Sequence, residues 1–318
     1  MIGRRALAAC AALPFVARAE TWPERPVRLV VPYAPGGAND ILARLYGQRL
    51  TERFGQPFVV ENRPGAQAIV GAELVARATP DGHTLLIGAS GPIVFNPATY
   101  ERLPYDTLRD FAPVSMLAAY PLALVVASEA PFATLQDLLV FARSHPDRAN
   151  YGASAASFQL PTELLNQRAG THFVHVAYRG SADTVNAVAN GEVTMALVDT
   201  GPAAVAFAAG RVRILAVTAP KRVPAWPDSP TMAELDFPDL TIVLWSGMLA
   251  PAATSPAVVT RLAEAAAAIG REPAFRDKLR NLSLDPVGGT PTQFRDAIAA
   301  ELPLWAEVAR QGGIRLER

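Results

Sequence analysis

The sequence predicts an α/β protein with mainly parallel sheets, and three observations support this prediction. Strand patterns and helix patterns alternate along the chain from Pro26 onward. An apolar strand beginning at Val27 runs into a Pro/Gly loop that opens directly onto a helix. The chain of 318 residues is long enough for a sizeable core and two domains.

The first nineteen residues have the composition of a secretory signal peptide. Arg4 and Arg5 precede an apolar stretch at 6–17, and an A-x-A pattern predicts cleavage after Ala19. The adjacent arginines fit twin-arginine export loosely, so both export routes stay open. A lipoprotein box ending at Cys10 is the weaker interpretation, because little apolar sequence precedes that cysteine. We therefore expect an exported protein.

The charge balance and the cysteine content exclude several classes of function. Three arginines and no acidic residue lie in the predicted signal peptide, which leaves 26 basic and 29 acidic residues in the rest. This balance lacks the basic surface of nucleic-acid-binding proteins, so we expect no nucleic-acid partner. Removal of Cys10 excludes a disulfide and a thiolate metal site.

Turn and cap residues define the elements of the first half. Asn39 or Asp40 is predicted to cap a helix that Gly55 ends. The other elements predicted here are a strand at 58–60, a helix at 68–78, a strand at 84–88 and a loop at 89–92.

A second series of units begins with an apolar stretch at 121–127. Thr134 and Asp137 predict a capping box for the helix that follows. Strands are predicted at 150–153, 173–177, 193–198, 212–217 and 241–250, and helices near Leu160, Ser181 and Pro202. Ser255 and Thr290 are predicted to start the helices of the C-terminal region.

These two series predict two lobes joined by two crossovers, with the last helices returning to the first sheet. We place lobe 1 at 20–120 plus 245–318 and lobe 2 at 121–244. The cleft between such lobes is the expected ligand site.

The loop at 35–40, Pro-Gly-Gly-Ala-Asn-Asp, is predicted to bind an anion. Free backbone N–H groups and the positive end of the helix dipole favour a carboxylate or phosphate at such a turn. The loop lacks the third glycine of a dinucleotide fingerprint and the lysine of a P-loop, which argues against a nucleotide site. An ordinary strand-to-helix turn remains an alternative.

A second anion site is predicted where an apolar strand runs through Tyr178 and Arg179 to a turn at Gly180. Ser181 is predicted to cap the helix that follows. Asp199 and Thr200 lie at another strand end, where open α/β sheets bind ligands. Each of these strand-to-helix turns could be an ordinary start of a helix. Because such turns occur in both predicted lobes, ligand binding is the favoured interpretation.

The sequence contains no convincing catalytic or metal-binding pattern. Ser154 follows a strand as a nucleophile does, but the second glycine of that motif is missing. His172 and His175 are predicted to point to opposite faces of a strand, and His83 and His145 to lie at the surface. We therefore predict no catalytic residue, no metal and no cofactor.

An ordered set of motifs resembles the Bug family of periplasmic solute receptors for tripartite tricarboxylate transporters. The set covers nearly the whole chain after the signal peptide and includes Pro-Val-Arg-Leu-Val-Val-Pro at 26–32, Pro-Gly-Gly-Ala-Asn-Asp at 35–40, Glu-Asn-Arg-Pro-Gly at 61–65, Thr-Pro-Asp-Gly-His-Thr-Leu at 79–85, Val-His-Val-Ala-Tyr-Arg-Gly-Ser at 174–181 and Pro-Val-Gly-Gly-Thr-Pro at 286–291.

This resemblance implies a type 2 periplasmic-binding-protein fold, with two lobes that are joined by two crossover strands and close around a small solute. It also implies a periplasmic location, a small carboxylate or related polar ligand, and the membrane subunits of a tripartite transporter as partners. We expect the receptor to be a monomer. The ligand-binding residues implied by matching positions are Tyr33, Pro35, Gly36, Gly37, Asn39, Asp40, Ser90, Gly91, Ser154, Tyr178, Arg179, Gly180, Ser181, Asp199 and Thr200.

Some of these positions differ from the family pattern, and for others more than one role in ligand binding is possible. The loop at 153–159 is shorter than usual, so Phe158 and Gln159 could narrow the pocket or supply an amide. Arg179 replaces a frequent lysine and could pair a carboxylate bidentately or lie on the rim. Asp199 is expected to orient a water or an N–H group, or to contact a polar group of the ligand, because its negative charge would repel a carboxylate at close range.

Two other functions remain alternatives at this stage. The first is a binding protein that presents its ligand to a membrane sensor kinase, and the second is a periplasmic hydrolase that uses Ser154.

Overall fold

The computed structural model describes residues 22–315 and has two α/β lobes, as predicted. The predicted signal peptide lies outside the described residues. The strands are β1 (Val27–Val31), β2 (Phe58–Asn62), β3 (Thr84–Ala89), β4 (Phe111–Ala127), β5 (Asn150–Ala153), β6 (Val174–Ala177), β7 (Ala196–Asp199), β8 (Val212–Val217), β9 (Val243–Pro251) and β10 (Asp285–Pro286).

Helices follow most of these strands. They are α1 (Ala38–Phe54), α2 (Ile69–Ala76), α3 (Asn96–Thr99), α4 (Thr107–Asp110), α5 (Leu135–Ser144), α6 (Ala156–Ala169), α7 (Ser181–Ala189), α8 (Thr200–Ala208), α9 (Pro256–Arg271), α10 (Pro273–Arg280) and α11 (Pro291–Gln311). A π-helical turn, Gly91–Phe95, joins β3 to α3, and two 3₁₀ turns, Ala233–Leu235 and Pro238–Leu240, precede β9.

The sheets are mixed, so the prediction of mainly parallel sheets is wrong. The first sheet has the order β10-β4-β9-β3-β1-β2, in which only β1, β2 and β3 pair in parallel. In the second lobe β7 and β8 both pair antiparallel with β4, whereas β5 and β6 pair in parallel. The difference arises because β4 pairs antiparallel with its neighbours in both sheets, and β9 pairs antiparallel with β3 and β4 in the first.

Strand β4 belongs to both sheets. Its first part, Phe111 to Pro121, pairs with β9, and its last part, from Leu122, pairs with β7 and β8. The apolar stretch at 121–127, with which the second series of units is predicted to begin, is therefore the last part of a strand that starts at Phe111. Pro113 lies where the register with β9 shifts, which suits a residue that has no N–H to donate.

Apolar packing is continuous between the lobes. One buried cluster contains Val30 of β1, Trp245 of β9 and Leu139 of α5, and two smaller clusters belong to one lobe each. Helix α11 packs against α6, and the Gln167 side-chain amide donates a 3.1 Å hydrogen bond to the Val308 carbonyl. The lobes therefore share part of one core.

Most local helix signals are confirmed. Thr134 forms the predicted capping box with Asp137, and Thr290 forms another with Gln293. The predicted cap at Asn39 or Asp40 is wrong because Gly37 caps α1, and the predicted cap at Ser181 is wrong because Gly180 caps α7. In both turns the glycine adopts the extended conformation of a cap one to three residues earlier than predicted.

The predicted surface position of His83 is also wrong. Its side chain is buried beside Asp81, against the ring of Trp22. Within residues 22–315, every helix is too short or too polar to cross a membrane.

Candidate functional site

A cavity of about 650 Å³ lies between the two lobes. Twelve of the fifteen predicted ligand-binding residues line it: Tyr33, Gly36, Gly37, Asn39, Ser90, Gly91, Ser154, Arg179, Gly180, Ser181, Asp199 and Thr200. Pro35, Asp40 and Tyr178 do not line it. Both predicted anion sites therefore open into the same space.

Four helices begin at this cavity, with α1 from the first lobe and α6, α7 and α8 from the second. The side chain of the cap residue makes no capping hydrogen bond in any of the four. Side-chain caps are present at α4, α5 and α11, which begin elsewhere, and are also absent from α2, α3, α9 and α10. The helices that face the cavity thus present backbone N–H groups and positive dipole ends to it.

Asp40 shapes the glycine loop from behind. Its carboxylate accepts a 2.9 Å hydrogen bond from the Gly36 N–H and two 3.0 Å hydrogen bonds from Arg44. Asn62 donates a further bond of 3.0 Å. The hydrogen bond with Arg44 is the main reason that the pKa of Asp40 falls to about 2. Asp40 therefore fixes the shape of the glycine loop, and both of its own oxygens already accept hydrogen bonds.

Asn39 connects this loop to the second crossover strand. Its side-chain carbonyl accepts a 2.7 Å hydrogen bond from the Ser246 hydroxyl on β9. Both side chains are buried. The start of α1 is thereby fixed to the strand that leads into the other lobe.

Asp199 and Ser181 form the polar centre of the opposite wall. The Ser181 hydroxyl donates a 2.7 Å hydrogen bond to the Asp199 carboxylate. Loss of hydration raises the pKa of Asp199, and the hydrogen bond from Ser181 opposes this shift. Loss of hydration also raises the pKa of Tyr33 and Tyr120, and the charge of Asp199 adds to both shifts. These groups form an electrostatically coupled cluster at the junction of the lobes.

The cavity lining contains one basic and one acidic side chain, Arg179 and Asp199. Arg179 is exposed and makes no ion pair within residues 22–315. Its charge is therefore accessible to an anion. Phe158 lines the cavity as an apolar residue, whereas Gln159 interacts with Tyr151 and does not line it.

Sequence reasoning missed several lining residues. Gln67, Asn96, Tyr120, Leu244 and Leu284 come from segments without a predicted role. The loop at 89–92, predicted to be irregular, instead leads from β3 into the π-helical turn. Only the strand-to-helix turns had a local sequence signal for ligand binding. The other segments lie at the cavity because the order of the strands brings them there.

The described residues contain no group of three His, Cys, Asp or Glu side chains arranged to hold a metal. No histidine lines the cavity. His175 lies in β6, but His172 precedes the strand, so their predicted alternation along one strand is wrong. His145 is exposed, as predicted.

Comparisons with known proteins agree with this architecture. Residues 42–314 match the model of the tripartite tricarboxylate transporter family receptor, TctC. The chain is 33% identical over 303 residues to Protein BugT of Bordetella pertussis, and the match covers 94% of this chain and 93% of BugT.

Two solved structures with bound carboxylates are also similar. One is R. palustris Rpa4515 with adipate, which matches with a TM-score of 0.82 at 36% identity and covers 93% of this chain and 100% of that chain. The other is MatC (Rpa3494) from Rhodopseudomonas palustris with bound malate, with a TM-score of 0.78 at 29% identity over 90% of this chain and 99% of that chain. The predicted periplasmic-binding-protein fold and the resemblance are thus confirmed, and the chain belongs to the tripartite tricarboxylate transporter receptor (TctC) family.

Proposed function

We propose that the protein is a periplasmic receptor that closes around a small carboxylate and delivers it to the membrane subunits of a tripartite transporter. The observation that carries this proposal is the cavity between the lobes, into which four helix N-termini open. Such termini stabilise an anion without a buried cationic side chain. The adipate and malate bound to two relatives support the same class of ligand.

Closure of the lobes accounts for capture of the ligand. A ligand that contacts both walls binds the closed state more tightly than the open state and shifts the equilibrium toward closure. We propose the predicted division, with lobe 1 at 20–120 plus 245–318 and lobe 2 at 121–244, which puts Gly36 and Ser181 on opposite lobes. We also propose that the receptor is a monomer and is exported after cleavage following Ala19.

Calorimetry on the chain without residues 1–19 tests the ligand class. Adipate, malate and citrate represent dicarboxylates and a tricarboxylate, and hexane-1,6-diol is the uncharged counterpart of adipate. We expect at least one carboxylate to bind and the diol not to bind, because helix N-termini favour charge. Absence of binding to every carboxylate, or equal binding of the diol, would contradict the proposal.

The hydrolase alternative has a direct test at Ser154. A serine nucleophile needs a general base, most often histidine, within hydrogen-bond reach, and no histidine lines the cavity. We expect Ser154→Ala to leave any background hydrolysis of ester substrates unchanged. Loss of a measurable hydrolysis in this variant would instead support an enzyme.

A further inference from the structure

Three successive residues before α2 adopt the left-handed backbone conformation. Ala66, Gln67 and Ala68 have φ angles of 45°, 54° and 70°, although none of them is glycine. Each side chain in this region costs about 1 kcal/mol relative to the right-handed conformation. The surrounding structure must therefore hold this turn in place.

Contacts on both sides fix the turn. The Asn96 side-chain amide donates a 2.8 Å hydrogen bond to the backbone carbonyl of Gln67. The Ile69 N–H donates a 3.1 Å hydrogen bond to the backbone carbonyl of Ala66. Asn96 is itself buried and lines the cavity. On the other side Gly71 lets α2 approach Pro32, since a Cβ at this position would lie 2.7 Å from the Pro32 Cβ.

Gln67 is the member of the turn that reaches the cavity. It lines the space between the lobes, whereas Ala66 and Ala68 do not. Three side-chain amides line the wall of the first lobe, and two of them already make one hydrogen bond each. Asn39 accepts from Ser246, and Asn96 donates to the turn, but the Gln67 amide bonds to no other residue of the described chain.

We propose that Gln67 is a specificity-determining residue whose side-chain amide hydrogen-bonds a carboxylate or hydroxyl oxygen of the ligand. The strained turn places Gln67 at the cavity wall, and Asn96 holds the turn. The inference rests on the proposed function, because it concerns the ligand of the same cavity. It adds a third chain segment to the two predicted anion sites.

Binding of adipate to Gln67→Ala tests the contact. This variant keeps a side chain at the strained position and removes the amide. We expect about a tenfold weaker affinity, since a hydrogen bond to a charged group is lost. Should malate be the better ligand of the wild-type protein, the same comparison is made with malate.

Thermal unfolding without ligand tests the strain separately. Gln67→Gly should raise Tm by about 2 °C while weakening adipate binding as Gln67→Ala does. Ala66→Gly is the matched control, because it relieves the same strain at an exposed residue outside the cavity. We expect it to raise Tm similarly and to leave the affinity unchanged.

These measurements separate two kinds of failure. A wild-type protein that binds no carboxylate contradicts the proposed function. A wild-type protein that binds adipate or malate, together with an equally tight Gln67→Ala variant, contradicts only the role of Gln67. Equal loss of affinity in Ala66→Gly would also overturn it, because the shape of the turn rather than the amide would then be responsible.

Discussion

The Thr218 hydroxyl accepts a 2.8 Å hydrogen bond from the Leu122 N–H, at the point where β4 enters the second lobe. The same hydroxyl donates a 2.5 Å hydrogen bond to the carbonyl of Ile242, just before β9. Thr218 is fully buried. One side chain therefore joins both chain crossings on the side of the second lobe.

We expect Thr218→Val to lower the free energy of unfolding by about 2 kcal/mol, because it leaves a buried N–H and a buried carbonyl without this partner. Urea denaturation measures the change. Thr218→Ser keeps the hydroxyl and is the control, and a Val variant no less stable than the Ser variant would show that the bridge contributes little.

Asp199 is expected to make carboxylate binding pH-dependent. Its pKa is raised by loss of hydration, so the folded state binds this proton more tightly than the unfolded state. The ionised carboxyl therefore costs stability above its unfolded pKa, and this cost falls as the pH is lowered. A bound carboxylate would add repulsion in the same direction.

The affinity for adipate should accordingly rise as the pH is lowered, measured over pH values at which adipate itself stays ionised. Asp199→Asn should bind adipate with little pH dependence, and calorimetry at several pH values measures both. The same slope in the variant would mean that another group is responsible.

Asp40 is expected to stabilise the fold at neutral pH. Its pKa of about 2 lies below the ordinary value of 3.8, so its contribution is present above about pH 4 and is lost as the pH falls toward 2. The Asp40 side chain is only 4% exposed, although Arg44 is largely in solvent. We expect Asp40→Asn to cost about 1–2 kcal/mol at pH 7.

The control for this variant is Asp239→Asn, which removes an exposed ion pair with Arg168. Exposed pairs contribute little, so the control should unfold like the wild type. The difference between the two variants should narrow at about pH 2.5, as Asp40 approaches its own pKa. A constant difference across this range would contradict the assigned pKa.

Arg179 should contribute to carboxylate binding through its charge. We expect Arg179→Ala to weaken adipate binding by up to about tenfold, and Arg179→Lys to restore part of the loss, because lysine keeps the charge but not the bidentate geometry. The wild-type affinity should depend more steeply on salt than that of Arg179→Ala. Equal affinities in all three proteins would assign Arg179 to the rim.

Local sequence signals predicted much of the fold. Strands β5 and β8 have the predicted bounds because turn residues flank them, and the boxes at Thr134 and Thr290 depend on contacts within one helical turn. The continuity of β4 could not be predicted in this way. A proline such as Pro121 usually marks the end of a strand, but here β4 continues through it and Pro121 pairs with Val243 of β9.

The part of the cavity wall that could be predicted is the part formed by residues with a local sequence signal. Glycine turns such as Gly36 and Gly180 identified the strand-to-helix junctions that line it. Gln67 and Asn96 had no such signal, since their roles arise from a contact across 29 positions of sequence. His83 lies beside a turn and is nevertheless buried, because the ring of Trp22 covers it.

The pairing of Pro121 with Val243 brings the two chain crossings side by side. The chain segment between the two crossings therefore has its two ends next to each other, and it includes Ser154, Ser181 and Asp199. Because its ends are adjacent, such a segment is a natural unit of exchange between family members, provided that the core it shares with the first lobe is matched. One wall of the cavity would be transplanted with it, so we expect such an exchange to alter ligand preference.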